Sequence, residues 1–368
     1  MKRSQFWLGI GASVCMGILI LDGRTALAGA REGIDLCIRS LIPSLFPFFV
    51  LSGLITGTFG GISLPLLRPV GTFLKIPAGC ESLLIPAFLG GYPAGAQAIG
   101  QMVQNESVSE ETARRLLLFC NNPGPSFLFG VLGSVFPSGR PLWALWGIQI
   151  TASIICARLI PASECAGTMS YQRKLSFSEI VASAVRIMGS VCGWVVLFRI
   201  LLAFLDRWFL WMCPVPFRVA ITGLLELSNG CFSLPEIGDP RLRFLLCSGI
   251  LSFGGLCVTM QTASVVPLIS MVPYLGAKVM QSLLCICISA AFQYRKPALL
   301  LFVVLFYCLI KKGVTRPGYM VYNDSINQRR KTHAVSKKNR PRLYVLSAQH
   351  PAGRGTDSLH EKRTAQSR

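Results

Sequence analysis

The chain has 368 residues, of which 52% are hydrophobic and 14% are charged, and its mean hydropathy is +0.54. Soluble domains carry roughly 25% charged residues, so this composition excludes a water-soluble fold and predicts a membrane protein. Of the net charge of +20, residues 311–368 contribute 14 Lys and Arg against Asp324, Asp357 and Glu361, which is +11. The basic character belongs mainly to this C-terminal segment, and nucleic acid is not predicted as a partner.

The N-terminal segment, residues 1–40, begins with Lys2 and Arg3 before an apolar run over residues 6–21. The Ala26-Leu27-Ala28 sequence after this run is typical of a signal-peptide cleavage site. The competing interpretation is a retained first span with its basic end in the cytosol. We favour retention, because a second hydrophobic segment follows. Four charged residues are predicted to pair by i, i+4 contacts on an interfacial helix: Arg31, Glu32, Asp35 and Arg39.

Further apolar runs follow along the chain. Several are interrupted by Gly and Pro or are shorter than the about 20 residues that a helical span needs. Together they predict an all-α, polytopic integral membrane protein with about eight to ten membrane elements. The runs cover residues 41–59, 83–103, 116–136, 142–160, 180–205, 217–232, 244–258, 263–292 and 297–310.

The runs divide into two membrane halves, residues 41–160 and 180–310, joined by a polar linker over residues 161–179. Residues 311–368 are polar, basic and poor in apolar periodicity, which predicts a disordered tail. Because basic segments stay on the cytosolic side, we expect this tail to be cytosolic and to lie near anionic membrane lipids.

Polar segments rich in glycine interrupt the apolar runs twice in each half. They are residues 90–97 (GGYPAGAQ) and 120–126 (CNNPGPS), then residues 226–230 (ELSNG) and 253–262 (FGGLCVTMQT). Non-helical backbone at membrane depth persists only where protein or a watery cavity covers it. Matched interruptions in two halves point to a transporter's binding site. We therefore predict two related halves whose re-entrant helix–break–helix hairpins meet near the midplane.

The polar side chains and the glycines at these interruptions are the candidate substrate-binding residues. Amides and hydroxyls would bond a solute, and glycine permits close approach of the backbone. In the alternative interpretation these groups only satisfy one another between helices, but simple kinks would need fewer amides. The candidates are Gly91, Tyr92, Gly95, Gln97, Asn121, Asn122, Ser126, Glu226, Asn229, Gln261 and Thr262.

Glu226 is the most informative of these candidates, because a carboxylate at membrane depth is expensive and indicates function by default. It would carry a proton, neutralise a cation or bind a ribose hydroxyl. The equally weighted alternative places Glu226 near the membrane interface, paired with Arg218 or Arg243.

The sequence carries no pattern typical of a metal site, a cofactor site or a catalytic site. Its 14 cysteines include no CxxC pair, and His333, His350 and His360 all lie in the tail, so neither zinc nor haem is predicted. It contains no Ser-His-Asp pattern and no Walker loop. We therefore expect neither an enzyme nor an ATP-driven pump, and no cofactor.

Four segments in order, residues 41–52, 90–97, 115–130 and 254–265, resemble the sporulation integral membrane protein YlbJ family, also called the stage V sporulation SpoVV type. That family lies in the wider group with nucleoside-recognition Gate domains. Two features depart from the family's pattern. Gln97 stands where a lysine is common, and the long basic tail is not expected.

The resemblance implies a protein in the membranes of an endospore-forming bacterium that moves dipicolinic acid from the mother cell across the outer forespore membrane. The predicted partners are then a small-molecule substrate and membrane lipids, and a homo-oligomer or spore-membrane partner proteins stay open. Two alternatives are kept. The chain would be a nucleoside or nucleobase carrier of the Gate-domain type, or a non-transporting assembly protein of the spore envelope.

Overall fold

The computed structural model describes residues 3–59, 62–104, 108–160 and 176–294, which form fourteen α-helices and no strand. Residues 161–175 of the predicted linker, the last predicted apolar run and the tail over residues 311–368 lie outside this part of the chain. The α-helices are α1 (Arg3–Leu21), α2 (Gly23–Leu36), α3 (Ile42–Phe59), α4 (Arg68–Phe73), α5 (Ala94–Gln104), α6 (Glu110–Cys120), α7 (Pro125–Gly130), α8 (Gly139–Leu159), α9 (Phe177–Trp208), α10 (Val215–Leu225), α11 (Leu227–Ser233), α12 (Pro240–Phe253), α13 (Gly255–Val265) and α14 (Met271–Tyr294).

Five helical segments in the described residues are long and apolar enough to cross a membrane. A π-helical turn, Cys37–Leu41, joins α2 and α3 into the first of them. The all-α prediction is confirmed for the described residues, and the five segments support a polytopic membrane protein. The number of eight to ten elements and the relation between two halves stay predictions. The segments are Gly23–Phe59, Gly139–Leu159, Phe177–Trp208, Pro240–Val265 and Met271–Tyr294, with shorter apolar helices at Gly9–Leu21, Glu81–Gly90 and Val215–Leu225.

The predicted interruptions are present in the structure. Extended backbone at residues 121–124 separates α6 from α7, and extended Glu226 separates α10 from α11. Gly254 separates α12 from α13 with a φ of +79°, a left-handed conformation that glycine adopts without steric cost. The fourth interruption is the turn that leads into α5. Each of the four interruptions falls in a segment that was predicted from its glycine, proline or amide residues.

Buried apolar side chains form two clusters. The larger joins α3, α7, α8, α9 and α12, and it includes Tyr92 and Ala94. The smaller joins α5 and α6 and reaches α14 through Tyr274. Ala96 and Ala98, which follow on α5, belong to the smaller cluster. The start of α5 therefore lies where the two clusters meet.

Small residues bring α2 and α9 into close contact. A Cβ added at Gly29 would lie 2.9 Å from the Cβ of Ala203, and one added at Gly33 would lie 3.0 Å from the Cα of Val196. These glycines are four residues apart on α2, the small-xxx-small spacing that lets membrane helices approach each other. The contact fixes α2 against the longest helix of the described residues.

Charged side chains on α2 and on the π-helical turn that follows it pair partly as predicted. Arg39 binds Asp35 in an i, i+4 pair, which confirms that part of the expectation. Glu32 instead pairs with Arg199 of α9, and Arg199 also lies 3.5 Å from Asp206. The prediction that Glu32 pairs within its own helix was wrong, because the close α2–α9 contact offers an arginine on the facing helix.

We expect Gly29→Leu to destabilise the protein, because the new side chain would overlap Ala203 and the α9 backbone. Overpacking of this kind costs about 1–3 kcal/mol. Thermal unfolding of purified protein in detergent, followed by tryptophan fluorescence, measures the effect. Gly189→Leu on α9 is the matched control, because a Cβ at Gly189 meets nothing within 4 Å. Equal melting temperatures for the two variants would contradict a tight α2–α9 contact.

Candidate functional site

The two interruptions of the first half pack directly on each other. A Cβ added at Gly91 would lie 3.0 Å from the backbone nitrogen of Gly124, and one added at Gly95 would lie 2.0 Å from the carbonyl oxygen of Cys120. Only glycine fits at so short a distance. Ser126 lies beside this contact, and its buried Oγ has no hydrogen-bond partner in the described residues. The predicted candidates Gly91, Gly95 and Ser126 therefore lie at one contact, where the two glycines serve close packing.

Tyr92 links this contact to the α12–α13 interruption. Its hydroxyl lies 3.3 Å from the carbonyl oxygen of Leu251 and 3.2 Å from that of Ser252, and it donates to them at the end of α12. A Cβ added at Gly254 would lie 3.2 Å from the Tyr92 ring. One residue of the first half therefore meets the interruption of the second half, as the prediction of meeting hairpins requires.

A buried lysine that the sequence analysis did not select occupies the centre of this region. Lys278 of α14 has 0% of its surface exposed. Its Nζ donates to the carbonyl oxygen of Asn121, to the Tyr92 hydroxyl at 3.3 Å and to Gln281 Oε1 at 2.9 Å. The Tyr92 and Tyr274 ring centroids lie 5.2 Å and 5.7 Å from the ammonium nitrogen, within reach of a cation–π interaction.

No carboxylate of the described residues forms an ion pair with Lys278. The carbonyl oxygen of Asn121 at the end of α6 supplies partial negative charge, but a buried unit charge without a counter-charge is costly. An anion bound beside Lys278 would remove that cost. The resembled family commonly has a lysine where this chain has Gln97. The core of this protein nevertheless contains a cationic side chain, that of Lys278.

The Asn121 side chain is bonded across the two halves. Its Nδ2 donates to Thr262 Oγ1 at 3.0 Å and to the Tyr274 hydroxyl at 2.9 Å. Its Oδ1 is buried and has no hydrogen-bond partner in the described part of the chain. Asn121 and Thr262, both predicted candidates, are therefore in direct contact, and one amide oxygen stays available for a donor.

Asn122 is held by several partners. Its Oδ1 accepts from Gln281 Nε2 at 2.8 Å, and its Nδ2 donates to the carbonyl oxygen of Phe119 at 2.7 Å and to Ser153 Oγ at 3.2 Å. For Asn122 the alternative interpretation, in which polar groups at the interruptions satisfy one another, describes these bonds well. Asn122 would affect a solute indirectly, through its hydrogen bond to Gln281 and the hydrogen bond between Gln281 and Lys278.

Glu226 is buried, and its carboxylate caps α11. Oε1 accepts from the backbone nitrogen of Ser228 at 3.0 Å, and Oε2 accepts from the backbone nitrogen of Asn229 at 2.7 Å and from its Nδ2 at 2.6 Å. A carboxylate at a helix N-terminus bonds the free N–H groups there and is favoured by their partial positive charge. The candidates Glu226 and Asn229 thus form one unit.

The alternative in which Glu226 pairs with Arg218 or Arg243 at the interface was wrong. Only 1% of its surface is exposed. Arg218 pairs with Glu236, and Arg243 donates to the carbonyl oxygen of Ile237. Both arginines are engaged away from Glu226, so its carboxylate has N–H donors but no cationic partner in the described residues.

A small cavity of about 30 Å³ adjoins Glu226, and Tyr92, Ser228 and Gln261 also line it. Gln261 is buried, and its Nε2 donates to Cys257 Sγ at 3.3 Å. The predicted architecture would have failed had Asn121 and Gln261 faced outwards, and both side chains are buried. The cavity has room for about one water molecule, whose share of liquid volume is about 30 Å³.

Gln97 lies apart from the asparagines. Its Nε2 donates to Ser183 Oγ of α9 at 2.9 Å, and it lines a different cavity of about 30 Å³ together with Ser52. In the described residues no hydrogen bond joins Gln97 to Asn121 or Asn122. The structure thus brings most candidates together around Tyr92 and places Gln97 at a separate contact.

A wide, charged cavity of about 600 Å³ adjoins Asn229 of the Glu226–Asn229 unit. Asn229 lines this cavity, while Glu226 and Ser228 line the small one. Its charged side chains are paired with one another, as in Arg199 with Glu32 and Arg218 with Glu236. The remaining charged residues that line it are Asp35, Arg39 and Asp206.

The described residues contain no group of three or more His, Cys, Asp and Glu side chains placed to hold a metal ion. The polar groups that converge are amides, hydroxyls, one ammonium and one carboxylate. This set is suited to hydrogen-bonding a small polar solute and to holding charge, and it contains no paired nucleophile and base.

Comparison with known proteins gives an informative similarity. The chain is 24% identical over 311 residues to the sporulation integral membrane protein YlbJ of Bacillus subtilis (strain 168), which covers 71% of this chain and 74% of that protein. No family model matches the chain, and no solved structure gives a significant match. Together with the apolar helices, the similarity indicates an integral membrane protein and supports the relationship to the YlbJ family that the four sequence segments predict.

Proposed function

We propose that this protein is a membrane transporter of a small anionic solute, and that the solute is dipicolinic acid, moved across the outer forespore membrane during sporulation. The tail would then lie in the cytosol. The similarity to a sporulation integral membrane protein supports the setting. The observation that carries the proposal is the buried Lys278, which has no carboxylate partner in the described residues and lies where interrupted helices of both halves meet.

The chemistry of the region suits a planar aromatic dicarboxylate. One carboxylate would pair with the Lys278 ammonium, and the unpartnered hydroxyl of Ser126 would donate to a substrate oxygen. The rings of Tyr92 and Tyr274, which already flank the ammonium, would pack on the pyridine ring. The charge-assisted hydrogen bond between the substrate carboxylate and the Lys278 ammonium would be roughly twice as strong as a hydrogen bond between neutral groups.

Binding requires the region to open, because the cavity beside Tyr92 holds only about one water molecule. Broken-helix transporters expose a central site to alternate sides by moving one bundle against the other. The described conformation therefore corresponds to an occluded state in this proposal. The wide cavity beyond Asn229 would be the side from which a solute enters or leaves.

The nucleoside-carrier alternative is less well supported. It would use Glu226 to bind ribose hydroxyls, but that carboxylate already accepts three hydrogen bonds at the start of α11, which leaves about one of its roughly four acceptor sites. A neutral nucleoside would also leave the Lys278 charge without a counter-charge. A non-transporting assembly protein would give no reason for a buried cation at the meeting point of the interruptions.

Uptake into liposomes that contain the purified protein tests the proposal. We expect accumulation of labelled dipicolinate above that of protein-free liposomes and no accumulation of labelled uridine. Uptake of uridine without dipicolinate would favour the nucleoside carrier. Movement of neither solute, with correct insertion verified by protease accessibility, would favour the assembly protein.

A further inference from the structure

Glu226 adjoins a small cavity, and its hydrogen-bond partner Asn229 adjoins the wide charged cavity. Tyr92 also lines the small cavity. Tyr92 in turn accepts a hydrogen bond from Lys278. A proton from the wide cavity would reach the carboxylate past Asn229, whose amide is bonded to it. The site of proton binding and the site of the solute would be separated by a single tyrosine.

The carboxylate can gain or lose a proton without breaking an ion pair. Its partners are three N–H groups from Ser228 and Asn229, and the described residues provide no cation to it. A buried carboxylate is costly when charged and unpaired, and protonation removes that charge. The ionisable groups around Glu226 include the phenol of Tyr92 and the thiols of Cys37, Cys231 and Cys257.

We propose that Glu226 is the proton-coupling site of the transporter, so that a proton binds there when the anion binds at Lys278 and both cross together. This inference rests on the proposed function. A dicarboxylate carries two negative charges and a protonated Lys278 carries one positive charge, so a net negative charge remains after the solute binds. Repulsion between that charge and an ionised Glu226 is less screened in the low-dielectric interior than in water. Protonation of Glu226 relieves it, and by reciprocity the anion raises the affinity for the proton.

Proton-driven uptake tests the inference. Proteoliposomes are held at zero membrane potential with potassium and valinomycin, and the outside is made one pH unit more acidic than the inside. We expect labelled dipicolinate to accumulate about tenfold over its external concentration, as one proton per anion requires, and a protonophore to abolish the accumulation. Dipicolinate taken up equally with and without the gradient would overturn the inference, while leaving the proposed transport in place.

The variant Glu226→Gln tests the coupling. Its amide can neither bind nor release a proton, so we expect the tenfold accumulation driven by the pH gradient to be lost. Glu236→Gln is the matched control, because Glu236 is a partly exposed carboxylate that lines the wide cavity. We expect it to accumulate dipicolinate as the wild type does. Tenfold accumulation retained in Glu226→Gln would overturn the inference.

A second measurement uses the unmodified protein and does not depend on a variant that folds. Addition of dipicolinate to the purified protein in weakly buffered detergent should cause uptake of about one proton per protein, read from a pH-sensitive dye. Dipicolinate that binds without proton uptake would overturn the coupling. A protein that neither binds nor exchanges dipicolinate would instead overturn the proposed function, and the inference with it.

Discussion

Lys278→Gln should lower dipicolinate uptake at subsaturating concentration by about ten- to a hundredfold. A hydrogen bond to a charged group contributes about 1.5–3 kcal/mol, and each 1.4 kcal/mol corresponds to a factor of ten in affinity. Glutamine keeps a donor near the carbonyl oxygen of Asn121, so the main change is the loss of positive charge. Concentration-dependent uptake into proteoliposomes measures the effect as a rise in KM.

The matched control is Lys75→Gln, because Lys75 is the other lysine of the described residues and its side chain is exposed. It should transport like the wild type. Picolinate, with one carboxylate, serves as a second substrate, because removal of a cation should weaken binding of the dianion more than that of the monoanion. Equal losses for the two substrates, or an unchanged KM for dipicolinate, would show that the anion does not bind beside Lys278.

The positions of the interruptions could be predicted from the sequence because local chemistry decides them. Gly254 has the left-handed φ that favours glycine, and residues 121–124 bring two asparagines and a proline into an apolar run. Such residues are unfavourable within a helix wherever they occur. Which interruption meets which could not be read in this way, since Asn121 and Thr262 are 141 residues apart in the chain.

Gln97 shows that residues of one sequence motif can lie at different places in the structure. It belongs to the same short segment as Gly95, and the sequence analysis therefore placed both in one site. In the structure Gly95 lies against Cys120, whereas Gln97 bonds Ser183 of α9. Residues two positions apart on an α-helix point about 200° apart around the helix axis. Gly95 and Gln97 therefore face nearly opposite directions once the segment is helical. The turn ends before Ala94, where α5 begins.

Lys278 was missed although its signal was present. A single lysine within the apolar run over residues 263–292 is an ionisable group at membrane depth, which is itself a functional indication. Its run contains Pro267, Pro273 and Gly276 but neither paired glycines nor an asparagine, and the prediction rested on such clusters. The cap formed by Glu226 was not foreseen either, because Ser, Thr, Asp and Asn are the residues that usually cap helices.

Gly95→Ala should cause the largest loss of stability among single-methyl changes at the interruptions, and transport should be lost with it. The new Cβ would lie 2.0 Å from the carbonyl oxygen of Cys120, and this neighbour is backbone rather than a flexible side chain. Overpacking costs about 1–3 kcal/mol and occasionally more. Relief requires α5 to move away from the end of α6, where Asn121 and Lys278 are bonded.

Gly147→Ala on α8 is the matched control, since a Cβ there meets nothing within 4 Å. Alanine favours an α-helix by about 1 kcal/mol over glycine, so this control should be at least as stable as the wild type. Melting temperatures in detergent and dipicolinate uptake, measured on both variants, give the comparison. A Gly95→Ala protein with wild-type stability would mean that α5 and α6 are not in the close contact described. Wild-type stability with lost uptake would instead assign Gly95 to the path of the solute, as the sequence alone had suggested.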